Sequence, residues 1–120
     1  MVIDDDVDML QLVNLILSAK GFEIKSISEW QDIYSVNASF NPDLIILDIN
    51  LNGIDGRDIC KELRKQKDTE HIPIILYSAH GENVDYNLCN AQAFITKPFE
   101  ISHLVKTIEK LIAPHFLPHP

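Results

Sequence analysis

Asp48 closes the apolar run Leu44-Ile45-Ile46-Leu47 and is followed by the glycine-bearing stretch Asn50-Leu51-Asn52-Gly53-Ile54-Asp55-Gly56. A carboxylate at such a point is placed for chemistry rather than packing, as a nucleophile or as a ligand for a hard cation. Three other apolar runs end the same way. Val2-Ile3 runs into Asp4-Asp5-Asp6, Ile74-Ile75-Leu76-Tyr77 into Ser78, and Phe94-Ile95-Thr96 into Lys97. In an open parallel α/β sheet the C-terminal edge of the strands is where ligands bind. Carboxylates that converge there repel one another, and a divalent cation relieves the repulsion.

Taken singly, each group has a plainer role. Asp4, Asp5 or Asp6 could cap the first helix, where a carboxylate favours the dipole. Asp48 could be a turn residue, Ser78 a loop hydroxyl, Lys97 a surface cation and Phe94 a core side chain. Four strand ends delivering compatible groups argue for one site.

The elements that must position these groups alternate between strand and helix. After the stub Val2-Ile3, apolar residues cover most of a helix over 6–20, leaving a polar stripe at Asp8, Gln11, Asn14 and Ser18, with Gly21 as its stop. A short strand over 22–27 follows. Ser28 with Gln31 resembles a capping box that opens a helix through about residue 38, ended by Pro42. Residues 43–47 are apolar on both faces, as in a strand covered on both sides. A helix over 56–66 turns Ile59, Cys60 and Leu63 inward, and Pro73 begins a strand over 74–77. A weak helix over 82–90 and a strand over 93–96 come next. In the last helix Ile101, Leu104, Val105, Ile108, Leu111 and Ile112 mark one face, and Pro114 is its expected stop. This is strand and helix five times over, which argues a parallel sheet wrapped on both faces.

With 120 residues, 46% of them hydrophobic, the chain can bury one core. A net charge of −8 argues against direct nucleic-acid binding or attraction to an anionic membrane. No apolar run approaches the ~20 residues needed to span a bilayer, and Met1 leaves no room for a secretory signal before the first strand. Cys60 and Cys89 lack metal-ligand spacing and read as free thiols of a reducing cytoplasm.

Val2-Ile3-Asp4-Asp5-Asp6, Leu44-Ile45-Ile46-Leu47-Asp48, Gly53-Ile54-Asp55-Gly56, Ile74-Ile75-Leu76-Tyr77-Ser78-Ala79 and Thr96-Lys97-Pro98-Phe99 together resemble the receiver domain of two-component response regulators. The resemblance runs from Val2 to about Ile112. It implies a flavodoxin-like (βα)5 three-layer sandwich with a parallel five-stranded sheet in the order 2-1-3-4-5, spanning residues 1–113, with 114–120 as a C-terminal tail or linker. It makes Asp48 the phosphoacceptor, since a carboxylate can attack phosphorus and hold the phosphoryl group as an acyl phosphate. It assigns Mg2+ or Mn2+ to Asp5, Asp48 and the backbone carbonyl of Asn50, with Asp4 acting through water. Ser78 would hydrogen-bond one phosphoryl oxygen and Lys97 neutralise another, after pairing with Asp48 in the resting state. Ser78 and Phe94 would form the switch, and the Lys97-Pro98 bond would be cis.

A sensor histidine kinase or histidine phosphotransfer protein is the implied donor. The domain would be cytoplasmic, a monomer or a phosphorylation-dependent dimer, and a phosphoacceptor switch rather than an enzyme. A haloacid-dehalogenase-type phosphatase would need a second carboxylate where Asn50 stands, and a flavodoxin would need a hydroxyl-rich phosphate loop where Asp4-Asp5-Asp6 stand. A receiver-like binding module would lack Asp48 or Lys97. The chain departs from the family in its short first strand, in Asn52 where proline is common, in Ser78 for threonine, and in a shortened stretch from Ser78 to Lys97. Asn50 and His80 occupy positions at which the family tunes acyl-phosphate lifetime.

Overall fold

In the computed structural model, which describes residues 1–79, 89–97 and 99–116, five strands form one parallel sheet. They are β1 (Val2–Ile3), β2 (Ser26–Ile27), β3 (Ile45–Asp48), β6 (Ile74–Ser78) and β7 (Ala93–Thr96), hydrogen-bonded in the order β2-β1-β3-β6-β7. Counting only these strands, that is the expected 2-1-3-4-5. The short strands β4 (Asn50–Leu51) and β5 (Ile54–Asp55) pair separately and antiparallel. The helices are α1 (Val7–Ala19), α2 (Ile33–Phe40), α3 (Gly56–Lys65) and α4 (Ile101–Phe116). His80, most of the helix expected over 82–90, Pro98 with its peptide bond, and residues 117–120 lie outside the described residues.

Because successive strand residues point to opposite faces, the sheet divides its apolar side chains between two cores. Ile3, Ile45, Leu47, Ile74 and Leu76 share one with Ile33 of α2 and Ile59, Cys60 and Leu63 of α3. Val2, Ile46, Ile75, Tyr77 and Ile95 share the other with Leu10, Val13 and Leu17 of α1 and Leu104 and Ile108 of α4. Fully burying each such side chain contributes roughly 1.5–3 kcal/mol, so β3 and β6, buried along their whole length, are the most strongly held. Among the described residues, no helix is long and apolar enough to cross a membrane.

Several local expectations are corrected. The strand expected over 22–27 is only two residues long, because β2 pairs with β1 alone and β1 offers just Val2 and Ile3. Phe22 and Ile24 instead pack on the second core from outside the ladder. No capping box opens the second helix. A single 3-10 turn over Trp30–Asp32 starts without a side-chain cap, and burial of Ile33 sets the register of α2. Ile101 is 42% exposed rather than on the inward face of α4. Pro114 does not stop α4, which continues to Phe116: proline's fixed φ of about −65° is itself helical, so its cost is a missing N–H toward the preceding turn rather than a forbidden backbone angle.

Candidate functional site

Parallel pairing brings four strand ends to one edge. Ile3 pairs with Leu47, so Asp4, one residue on, stands opposite Asp48; Asp48 pairs in turn with Tyr77, and Ser78 with Thr96, just before Lys97. The acidic triplet at the end of β1 divides its labour. Asp6 is the N-cap of α1, accepting from the backbone N–H groups of Asp8 (3.0 Å) and Met9 (3.2 Å). Asp4 Oδ1 accepts from the Asp6 N–H at 2.9 Å, a local turn that directs the fully buried Asp4 inward. Asp5 stays exposed.

Asp48 is held by the loop behind it. Its Oδ1 accepts from the Asn50 N–H at 3.0 Å. Beyond it β4 and β5 form a hairpin around Asn52 (φ 54°) and Gly53 (φ 87°), the Asn-Gly pair at positive φ that a type I′ turn requires. Asparagine in place of proline therefore does not loosen this loop; it permits a turn that proline, fixed at negative φ, could not make. Gly56, at the start of α3, donates to the Ile49 carbonyl at 2.6 Å, and a Cβ there would stand 2.1 Å from the Asp48 carbonyl oxygen. Asp55 caps α3 through the Arg57 N–H and pairs with the Arg57 guanidinium at 2.7 Å, which holds the Asp55 carboxyl below the usual range.

Lys97 Nζ reaches Asp48 Oδ2 at 3.2 Å, as expected, but lies closer to Asp4 Oδ2, at 3.0 Å. Its backbone N–H donates to the Ser78 carbonyl at 2.8 Å, tying β7 to β6 at the site. Asp4, Asp5 and Asp48 each present a carboxylate oxygen, all within 4.8 Å of one another. Such hard oxygen donors fit a small divalent cation. Burial pushes the Asp48 carboxyl up to about 6, with the Asp4 charge adding to the rise and the Asn50 N–H and Lys97 opposing it. Burial also works on Asp4, but hydrogen bonds from Tyr77, the Asp6 N–H and Lys97 outweigh it and hold Asp4 below the usual carboxylate range.

Asp4, Asp5, Asp48 and Lys97 thus meet in one cluster, with the buried Ser78 at the end of the neighbouring strand. Asn50 contributes its N–H to Asp48 from β4. Phe94 lies deeper in β7, opposite Leu76 and partly buried against the α2–α3 core. Tyr77 was not among the expected site residues. Its hydroxyl donates to Asp4 Oδ2 at 2.5 Å, its ring centre lies 4.2 Å from Lys97 Nζ, and its ring packs T-shaped with Phe99, the ring centres 6.2 Å apart. The available signal was a tyrosine inside an otherwise aliphatic strand, because a buried phenol needs a hydrogen-bond partner.

Residues 1–109 match the family model described as response regulator receiver domain. The DNA-binding response regulator MtrA of Mycobacterium tuberculosis is 30% identical over 111 residues, covering 90% of this chain and 47% of MtrA. The receiver domain of NtrX from Brucella abortus superposes with a TM-score of 0.83 at 32% identity, covering 93% of this chain and 96% of that one. The signal receiver domain of a signal transduction histidine kinase from Syntrophus aciditrophicus gives 0.83 at 26% identity, with 98% and 92% covered. The chain spans about half the length of the curated relatives it matches. These relatives overturn the expectation of no direct nucleic-acid binding, for MtrA is a DNA-binding regulator. Net charge reports only the nonspecific field of these 120 residues and does not decide which partners a regulator has. A family match over residues 1–109, on a fold shared with solved receiver domains, makes this chain a member of the response regulator receiver domain family.

Proposed function

We propose that this receiver accepts a phosphoryl group on Asp48 from a sensor histidine kinase or a histidine phosphotransfer protein. The observation that supports this most is the buried Asp48 carboxylate, 3.2 Å from the Lys97 ammonium and within 4.8 Å of two further carboxylates. An Asp48 oxygen attacks phosphorus; the O–P bond forms as the N–P bond to the donor imidazole breaks, and the imidazole leaves with the electron pair. The Asn50 N–H on Oδ1 fixes the rotation of the attacking carboxylate. Bound Mg2+ or Mn2+ would neutralise charge on Asp48 and the incoming phosphoryl oxygens, held by Asp5, Asp48 and the Asn50 carbonyl, with Asp4 acting through water. Lys97 then leaves Asp4 and Asp48 for a phosphoryl oxygen, the Ser78 hydroxyl donates to another, and Phe94 repacks behind them.

The domain acts as a switch that assists its own phosphorylation and dephosphorylation. Asn50, two residues after Asp48, lacks the acid–base carboxylate of a turnover phosphatase. By analogy with MtrA, the output it governs is DNA binding, exerted from the cytoplasm by a monomer or a phosphorylation-dependent dimer. Incubation with a small acyl-phosphate donor and magnesium, followed by intact-mass measurement, tests the reading. One added phosphoryl group on the wild type and none on Asp48→Asn is the expected result. Equal uptake by both proteins, or phosphate on a histidine, would refute it.

A further inference from the structure

Tyr77 bridges the site in a way that its position in a core strand does not require. It is 1% exposed and belongs to the apolar core shared with α1 and α4. Its hydroxyl nevertheless crosses from β6, past β3, to the carboxylate that follows β1. Each Asp4 oxygen has partners from the protein. Oδ1 accepts from the Asp6 N–H at 2.9 Å, while Oδ2 accepts from the Tyr77 hydroxyl at 2.5 Å and from Lys97 at 3.0 Å. The same ring lays its face 4.2 Å from the Lys97 ammonium, within cation–π range. One side chain therefore touches both the anion and the cation that must part company when Lys97 turns to a phosphoryl group.

We infer that Tyr77 is a positioning residue for the cation site: its hydroxyl anchors Asp4 for a divalent cation, and its ring guides Lys97 between Asp4 and Asp48. The inference rests on the acidic-site reading above. Once Lys97 moves away, the phenol still holds Asp4 Oδ2, so the carboxylate neither rotates nor loses its last side-chain donor. Outer-shell hydrogen bonds that orient the groups around a metal site typically account for 10–100-fold in affinity.

The test is Mg2+ and Mn2+ titration calorimetry on wild type, Tyr77→Phe and Val13→Ala. Tyr77→Phe keeps the ring and loses only the hydroxyl, whereas Val13→Ala loosens the same core away from the site. Binding by Tyr77→Phe weakened by about 10-fold or more, with Val13→Ala unchanged, is the expected result. Wild-type affinity in Tyr77→Phe, or an equal loss in Val13→Ala, would overturn the positioning role while leaving the acidic site intact. No binding by the wild type would overturn both readings. A measurement on the wild type keeps the inference testable should Tyr77→Phe not fold. The Tyr77 hydroxyl proton should exchange slowly by NMR and shift on magnesium addition; a freely exchanging hydroxyl would sink the proposal.

Discussion

The two ends of the same parallel sheet bury charge in opposite ways. At the C-terminal edge Asp4 and Asp48 close around Lys97, with Tyr77 and two backbone N–H groups completing their hydrogen bonds. At the opposite edge the Met1 amine donates to the Leu44 carbonyl at 2.9 Å, and burial pushes it from 8.0 down to about 5, with Asp43 only partly opposing. A hollow of about 680 Å³ lies there, lined by Leu17, Phe22, Ile24, Leu44 and Ile108 among others, while the smaller one beside Asp5 and Asn52 is about 260 Å³. The larger hollow is mostly apolar and far from the acidic cluster, so size does not locate the chemistry here. A buried ion facing one carbonyl tends to shed its charge, whereas ions of both signs brought together act as each other's solvent.

Removing the cation should break that contrast most severely. Lys97→Ala leaves Asp4 and Asp48 facing each other, and metal-free urea unfolding should show a loss of about 3 kcal/mol or more at neutral pH. Magnesium should then restore more stability to the variant than it adds to the wild type. An unchanged unfolding midpoint would mean that the pair does not hold the edge together.

Acidity should separate the two ends by sign. Between about pH 5 and 8 the unfolded chain binds the Met1 proton and the folded chain does not, so this group makes stability rise with pH. The difference of roughly three pH units is worth up to about 4 kcal/mol, and acetylating the Met1 amine should abolish the rise. Asp48 works the other way. Its folded carboxyl titrates at about 6 against 3.8 unfolded, so between those values stability falls as pH rises. In metal-free protein at pH 7, Asp48→Asn, which carries no charge to bury, should be the more stable form. Denaturant melts across pH check both, and the same slope in acetylated and free chains would refute the first.

The smallest expected effect is steric. A methyl group at Gly56 would overlap the Asp48 carbonyl, so Gly56→Ala must shift the backbone that carries Asp48. A cost of about 1–3 kcal/mol is expected, with slowed phosphoryl uptake, both read on one sample by melting and mass measurement. Full stability with full uptake would show that the contact at Gly56 relaxes freely.

The groups at the C-terminal edge were legible in the sequence because each ends an apolar run, and chain direction alone puts such ends on one side. The inward face of α3 was legible for a similar reason, since Ile59, Cys60 and Leu63 repeat at the helical period. What the sequence concealed depends on register between distant strands. Tyr77 meets Asp4 only because β1, β3 and β6 align as they do, and β2 is short because its single neighbour is short. The 3-10 start before α2 followed from burial of Ile33 over local preference, and α4 runs on through Pro114 because proline's fixed φ is itself helical. The division of Asp4, Asp5 and Asp6 into buried anion, exposed carboxylate and helix cap likewise needed the path of the chain.

The central claim is that Asp48 itself receives the phosphoryl group, and trapping the acyl phosphate tests it most directly. Borohydride reduces an aspartyl phosphate to homoserine, so protein treated with an acyl-phosphate donor and magnesium, reduced and digested, should carry homoserine at position 48. Homoserine at Asp4, at Asp5 or nowhere, from protein that has gained a phosphoryl group by mass, would contradict the account.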